Sequence, residues 1–201
     1  MSLFDRVFKH TGSPPPEALS ASAREDQVGN SSAAHEAARL LCAPSALGQL
    51  GENEALTVVS YMVPQIFRRG DTLIAEGEKR DTGFMLLILT GEVTVETLTV
   101  SRRAARTVTV LGPGSIIGEM ALLDGAARSA SCLATSRVIC AALSRTALEK
   151  MISESPVAAA KLMTALSQRM AERLRDSSEK LRLYAQLVNT MQGEIDKALP
   201  E

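Results

Sequence analysis

The chain has 201 residues, 45% of them hydrophobic, with 22 basic and 23 acidic side chains and a formal net charge of −1. That length and apolar content build one domain with flanking helices and exclude a wholly disordered chain. The charge balance excludes a surface devoted to nucleic-acid phosphates, and no apolar run is long enough to cross a bilayer.

No signal-peptide pattern opens the sequence. Cys42, Cys132 and Cys140 are odd in number and lack the CxxC spacing of a zinc site, so neither a disulfide framework nor a metal centre is expected. The protein is expected in a reducing compartment, the cytoplasm.

Met1–His10 carries Leu3, Phe4, Val7 and Phe8 at helical spacing, a short amphipathic segment (1–10) able to dock on a partner. Residues 11–32 are rich in Pro, Ser, Gly and Ala, including Pro14-Pro15-Pro16, and are expected to form a flexible linker. Residues 33–62 form a helical segment, with helices over Ala33–Leu41 and Glu54–Met62 interrupted by Pro44.

From 63 to 153 short runs of Val, Ile, Leu and Thr alternate with glycine. Strands are expected at Gln65–Arg68, Thr72–Ala75, Gly83–Thr90, Glu92–Leu98, Arg106–Leu111 and Cys132–Leu143, then a helix over Thr146–Ser153. Many short strands joined by turns predict an antiparallel barrel or sandwich.

Ser155 and Pro156 suit the cap and first turn of a second helix (154–199) with no further proline until Pro200. Its apolar positions follow a heptad: Ala160, Met163, Ser167, Met170, Leu174, Ser177, Leu181, Tyr184, Val188, Met191, Ile195 and Ala198. At 1.5 Å per residue such a helix runs roughly 60 Å and overhangs a domain of this size. Self-association is expected, with Met163, Met170, Leu174, Leu181, Tyr184, Val188, Met191 and Ile195 in the interface.

The segment Gly114 to Ala130 carries the chemistry. A helical turn starting at Gly118 presents unpaired amides and a positive dipole end, the ingredients of a phosphate site. Arg128 can clamp the same anion with its planar fork. Glu119, which repels a phosphate, fits if it accepts from hydroxyls of the same ligand. As a bare spacing, Gly-Glu with an arginine nine residues on also fits a turn with a surface ion pair.

Gly118-Glu119-Met120-Ala121 with Arg128-Ser129 resembles the phosphate-binding cassette of cyclic-nucleotide-binding domains. Gly70-Asp71-Thr72-Leu73-Ile74-Ala75-Glu76-Gly77 and Leu89-Thr90-Gly91-Glu92-Val93 resemble the same family's strand-and-turn signatures. The resemblance, over about Ala55 to Ala185, implies an α+β fold: an antiparallel jelly-roll-like β-barrel flanked by helices, with a long C-terminal dimerisation helix.

It further implies that Glu119 binds a ribose hydroxyl and that Gly118 gives the backbone room to approach. Met120 and Ala121 amides face the cyclic phosphate, Arg128 and Ser129 bind its oxygens, and Val95 and Leu111 line sugar and base. Arg173 to Lys180 resembles the dimer helix of catabolite activator proteins, which implies adenine contacts from Ser177 and Ser178 across a two-fold. Ser177 also fits as a register device in the seam. Arg173 supports the seam or stays solvated.

The implied function is a homodimeric cyclic-nucleotide receptor, with cyclic AMP as ligand and cyclic GMP or a cyclic dinucleotide as alternatives. Members of the family that read DNA follow the dimer helix with a helix-turn-helix module, whereas this heptad continues through Ile195 to Glu201. Output is therefore expected through an unidentified protein partner, via Met1–His10 or the C-terminal helix, without direct nucleic-acid contact. A ligand-free dimeric scaffold is the reading from another class. A cupin-type enzyme is disfavoured because His10 and His35 both precede the strands, so no catalytic residue, metal or cofactor is expected.

Overall fold

The computed structural model describes residues 31–97 and 107–198. Met1–His10 and most of the expected linker lie outside the described residues, as does the side chain of Ile195.

Two helices open the described chain, α1 (Ser32–Leu41) and α2 (Glu52–Ser60). Ser31 caps α1, its hydroxyl accepting from the Ala34 amide at 3.4 Å. Eight strands follow: β1 (Val63–Phe67), β2 (Thr72–Ile74), β3 (Phe84–Thr90), β4 (Val93–Thr97), β5 (Thr107–Leu111), β6 (Ile116–Ile117), β7 (Ser131–Ala134) and β8 (Val138–Ser144). A short helix α3 (Glu119–Asp124) lies between β6 and β7. After β8 come α4 (Arg145–Glu154) and the 43-residue α5 (Pro156–Ala198).

The strands form two four-stranded sheets, ordered β1-β8-β3-β6 and β2-β7-β4-β5, and every pairing is antiparallel. This is the jelly-roll-like barrel with flanking helices and a long C-terminal helix that the resemblance implied.

Side-chain alternation explains the layering. On β3, Leu86 and Ile88 join Val93, Ile117 and Val138 between the sheets, while Met85 and Leu87 join the core formed with the helices. The run Phe84-Met85-Leu86-Leu87-Ile88 is continuously apolar because its sheet is covered on both faces. On α5, Leu162 and Leu166 are fully buried in the helical core. The barrel, α1, α2 and the first turns of α5 therefore share one packed unit.

Two strand assignments differ in kind from the sequence expectation, while the other strands shift by one or two residues at their ends. Cys132–Leu143 is not one strand but β7 and β8, which lie in different sheets. The corner at Thr135–Arg137 contains neither Gly nor Pro. It is built by side chains instead: Thr135 Oγ1 donates to the Glu92 carbonyl at 3.1 Å, and Ser136 Oγ accepts from the Glu92 amide at 2.9 Å. The two-residue β6, too short to leave a periodic signal, pairs with Leu86 and Leu87 of β3.

Met163, expected in a dimer seam, packs in part against its own chain's helical core. Beyond the half-buried Met170 the stripe turns away from the domain: Leu174, Leu181, Tyr184, Val188 and Met191 are exposed. No helix among the described residues is long and apolar enough to cross a membrane.

Cys132 and Cys140 are buried, and burial pushes each thiol up to about 12. At pH 8 both are protonated, so an alkylating reagent is expected to modify the half-buried Cys42 first and to reach the other two only on unfolding. Above about pH 9 the unfolded chain loses these protons while the folded chain keeps them. Stability is therefore expected to fall as pH rises from about 9 toward 12, measurable as a declining denaturation midpoint.

Candidate ligand-binding site

The strand β6 delivers the chain to Gly118, which turns it with φ +79° into α3. Only glycine fits there. A Cβ would stand 2.6 Å from Arg128 Nη1, 3.0 Å from Ile74 Cδ1 and 3.1 Å from the Phe84 carbonyl oxygen. The first-turn amides of α3 have no acceptor within their own helix. Gly125, with φ +70°, ends α3 by donating to the Ala121 carbonyl at 3.0 Å. Arg145 Nη2 donates to that same carbonyl at 2.9 Å and so pins α3 to α4.

Arg128 is 4% exposed. Its Nη1 donates to the Gly118 carbonyl at 2.9 Å, its Nη2 to the Phe84 carbonyl at 3.1 Å, and its Cζ lies 4.3 Å from the Phe84 ring centroid. Burial pushes the guanidinium below its usual value, opposed by the charges of Glu78 and Glu119. It stays cationic at neutral pH.

Glu119 is 2% exposed and forms an ion pair with Arg173 of α5. This pair joins the turn after β6 to a helix 54 residues further along the chain. Arg173 therefore reaches the site, a contact that neither expected role, support of the seam or a solvated face, had anticipated.

Between these groups lies a cavity of about 400 Å³, within the range of roughly 300–1,000 Å³ common for small-ligand sites. Gly118, Glu119, Met120, Ala121, Arg128, Ser129, Val95 and Leu111 all line it. Ser129 is exposed beside Met120, its hydroxyl 4.0 Å from the Met120 sulfur. Ser177 and Ser178 do not line the cavity of a single chain. They stand exposed on α5, one turn beyond Arg173.

Sequence reasoning missed Ile74, Thr109, Asp124 and Arg169 in the lining. Ile74, Cys132, Val95 and Thr109 form one cross-strand row over β2, β7, β4 and β5, which only the register reveals. Arg169 and Arg173 do leave a sequence signal, since they continue the face of Leu162 and Leu166. There the stripe changes from leucine to arginine.

A buried arginine and a buried carboxylate thus line one cavity together with the start of a helix. One molecule bearing both an anionic group and hydroxyls satisfies all three. The fold and site define a barrel with a small-ligand cavity that lies beneath a long helix.

Residues 64–155 match the cyclic nucleotide-binding domain family. A cyclic nucleotide-binding domain of known structure from Methylobacillus flagellatus is 31% identical, with a TM-score of 0.63, over 75% of this chain and 83% of that one. The catabolite activator protein of Thermus thermophilus is 26% identical, with a TM-score of 0.59, over 68% of this chain and 61% of that one. The CRP-like cAMP-activated global transcriptional regulator of Mycobacterium tuberculosis is 29% identical over 117 residues, 56% of this chain and 49% of that protein. The chain belongs to the cyclic nucleotide-binding domain family. It spans about half the length of the curated relatives it matches.

Replacing Gly118 with alanine is expected to weaken both fold and site, because the added methyl meets Arg128 Nη1 and the φ of +79° is strained for any Cβ. A melting temperature lowered by several degrees, with at least about tenfold weaker nucleotide binding, is the expected result by thermal melting and calorimetry.

Proposed function

We propose that this protein is a homodimeric receptor for a cyclic nucleotide, cyclic AMP in the first place and cyclic GMP as the alternative. The observation that carries the proposal is the pairing of buried Arg128 with buried Glu119 in one cavity of about 400 Å³. Arg128 and Ser129 take the cyclic phosphate, and the first-turn amides of Met120 and Ala121 assist. Glu119 accepts from the ribose hydroxyl, while Val95 and Leu111 cover sugar and base. The names of the relatives, a cAMP-activated regulator and the Cyclic AMP receptor protein of Thermus thermophilus, favour adenine as the base.

The exposed stripe of α5 pairs with a second copy, which brings the partner helix's Ser177 and Ser178 toward the base. Ligand binding releases Arg173 from Glu119 and shifts the helix pair between two states. Output passes to a protein partner in the cytoplasm, through Met1–His10 or the C-terminal part of α5. A net charge of −1 supplies no surplus for holding nucleic acid. The protein acts as a receptor and not as an enzyme.

Calorimetric titration with cyclic AMP and then cyclic GMP tests the proposal. Saturable binding is expected, and the ratio of the two affinities identifies the base. A folded dimer that binds neither nucleotide would overturn the receptor reading and leave the ligand-free scaffold or a cyclic-dinucleotide ligand.

A further inference from the structure

Helix α5 passes over the cavity with one continuous face. Leu162 and Leu166 on that face are buried, and the next two positions on it are Arg169 and Arg173, both lining the cavity. The two guanidinium groups are held differently. Arg173 reaches Glu119 from a side chain that is 56% exposed. Arg169 is anchored: its Nη1 donates to the carbonyls of Ser45 at 2.5 Å and Ala46 at 3.0 Å, in the connection between α1 and α2. Ser45 Oγ donates onward to the Gly114 carbonyl at 3.1 Å, just before β6 and the Gly118 turn.

One buried donor of Arg169 is unpaired. Its Nε–H is buried and has no hydrogen-bond partner among the described residues. A buried cationic donor without an acceptor is costly, and folded proteins retain few of them. Burial also pushes this guanidinium below its usual value, opposed by Glu119 and Glu172 and reinforced by Arg173. The charge is retained at neutral pH, so the donor stays in place. A strut serving only to tie α5 to the Ser45 and Ala46 carbonyls has no need of a guanidinium beside a ligand cavity.

We infer that Arg169 is a further binding residue of the nucleotide site, with its Nη1 anchored on Ser45 and Ala46 and its Nε–H donating to an oxygen of the ligand's sugar–phosphate ring. This rests on the receptor reading above. Arg169 differs from Arg128 in what it connects. Arg128 bonds the ligand to the turn at Gly118 and to β3, whereas Arg169 ties the same ligand to α5 and to the α1–α2 connection. Occupancy is thereby transmitted to residues 43–51 without passing through the Glu119–Arg173 pair.

The test uses the full chain and cyclic AMP. The Arg169 Nε–H resonance is followed by NMR through a titration, and Arg169→Lys is compared with wild type by calorimetry and thermal melting. The resonance is expected to shift and to exchange more slowly with water at saturation. Arg169→Lys keeps the charge but lacks the fork, and is expected to bind about tenfold more weakly, as loss of one charge-assisted bond predicts, with its ligand-free melting temperature retained.

A wild-type chain that binds cyclic AMP with an unmoved Nε–H overturns the role of Arg169 alone. So does a folded lysine variant binding within about twofold of wild type. If that variant does not fold, the wild-type resonance decides. A wild type that binds neither cyclic AMP nor cyclic GMP overturns the receptor reading and this inference together.

Discussion

Replacing Arg128 with alanine is expected to weaken cyclic-nucleotide binding by at least about tenfold and as much as a hundredfold, since one charge-assisted hydrogen bond contributes roughly 1.5–3 kcal/mol. The bound anion would also be left without its cation. The same substitution removes both donors that hold the Gly118 and Phe84 carbonyls and takes away the group stacked on the Phe84 ring. The ligand-free protein is therefore expected to melt lower, by an amount consistent with about 1–3 kcal/mol for each buried acceptor left unpaired. Lysine does not rescue either property, because its single ammonium cannot bridge the two carbonyls and lie flat on the ring. Calorimetry well below the variant's melting temperature separates loss of binding from loss of fold. Wild-type affinity in a folded Arg128→Ala protein would remove Arg128 from the site.

The second large effect concerns assembly. Leu181→Lys with Val188→Lys places charges in the stripe where Leu174, Tyr184 and Met191 are also exposed. Each seam residue is represented twice in a symmetric pair, and burial of a large aliphatic side chain contributes about 1.5–3 kcal/mol. Dimer dissociation is expected to rise about a thousandfold or more, read as a halved mass by sedimentation or light scattering. The barrel should remain folded, since both positions lie beyond the α5 turns that pack on the core at Leu162 and Leu166. Nucleotide affinity should fall as well if the partner's helix helps to cover the base. A monomeric wild-type chain would refute the dimer.

The candidate cassette was legible through its resemblance to a family motif whose parts lie close together in the chain, since the bare spacing alone also fitted a turn with a surface ion pair. Gly118, Glu119 and Arg128 lie within a few turns, and their chemistry of amides, acid and arginine has a local spacing. The start of α5 was readable for a similar reason, since Ser155 and Pro156 suit a cap and a first turn, and the helix begins at Pro156. The corner at Thr135–Arg137 was not, because its hydrogen bonds run to Glu92, more than forty residues earlier. Met163 shows a subtler limit. The heptad places it in the outer stripe, but that stripe lies about a quarter-turn from the core-facing one of Leu162 and Leu166, so Met163 at its edge touches its own core.

Sequence by itself determined the antiparallel strands and the long C-terminal helix through periodicity, and pointed to a candidate cassette through its resemblance to a family motif. Tertiary structure alone decided the rest of the cavity wall. The row Ile74–Cys132–Val95–Thr109 exists because of strand order and register. The Glu119–Arg173 pair and the anchoring of Arg169 on Ser45 and Ala46 bring together residues far apart along the chain. Periodicity reports which residues share a face within one element; which elements face each other is settled only when the two cores close around β3.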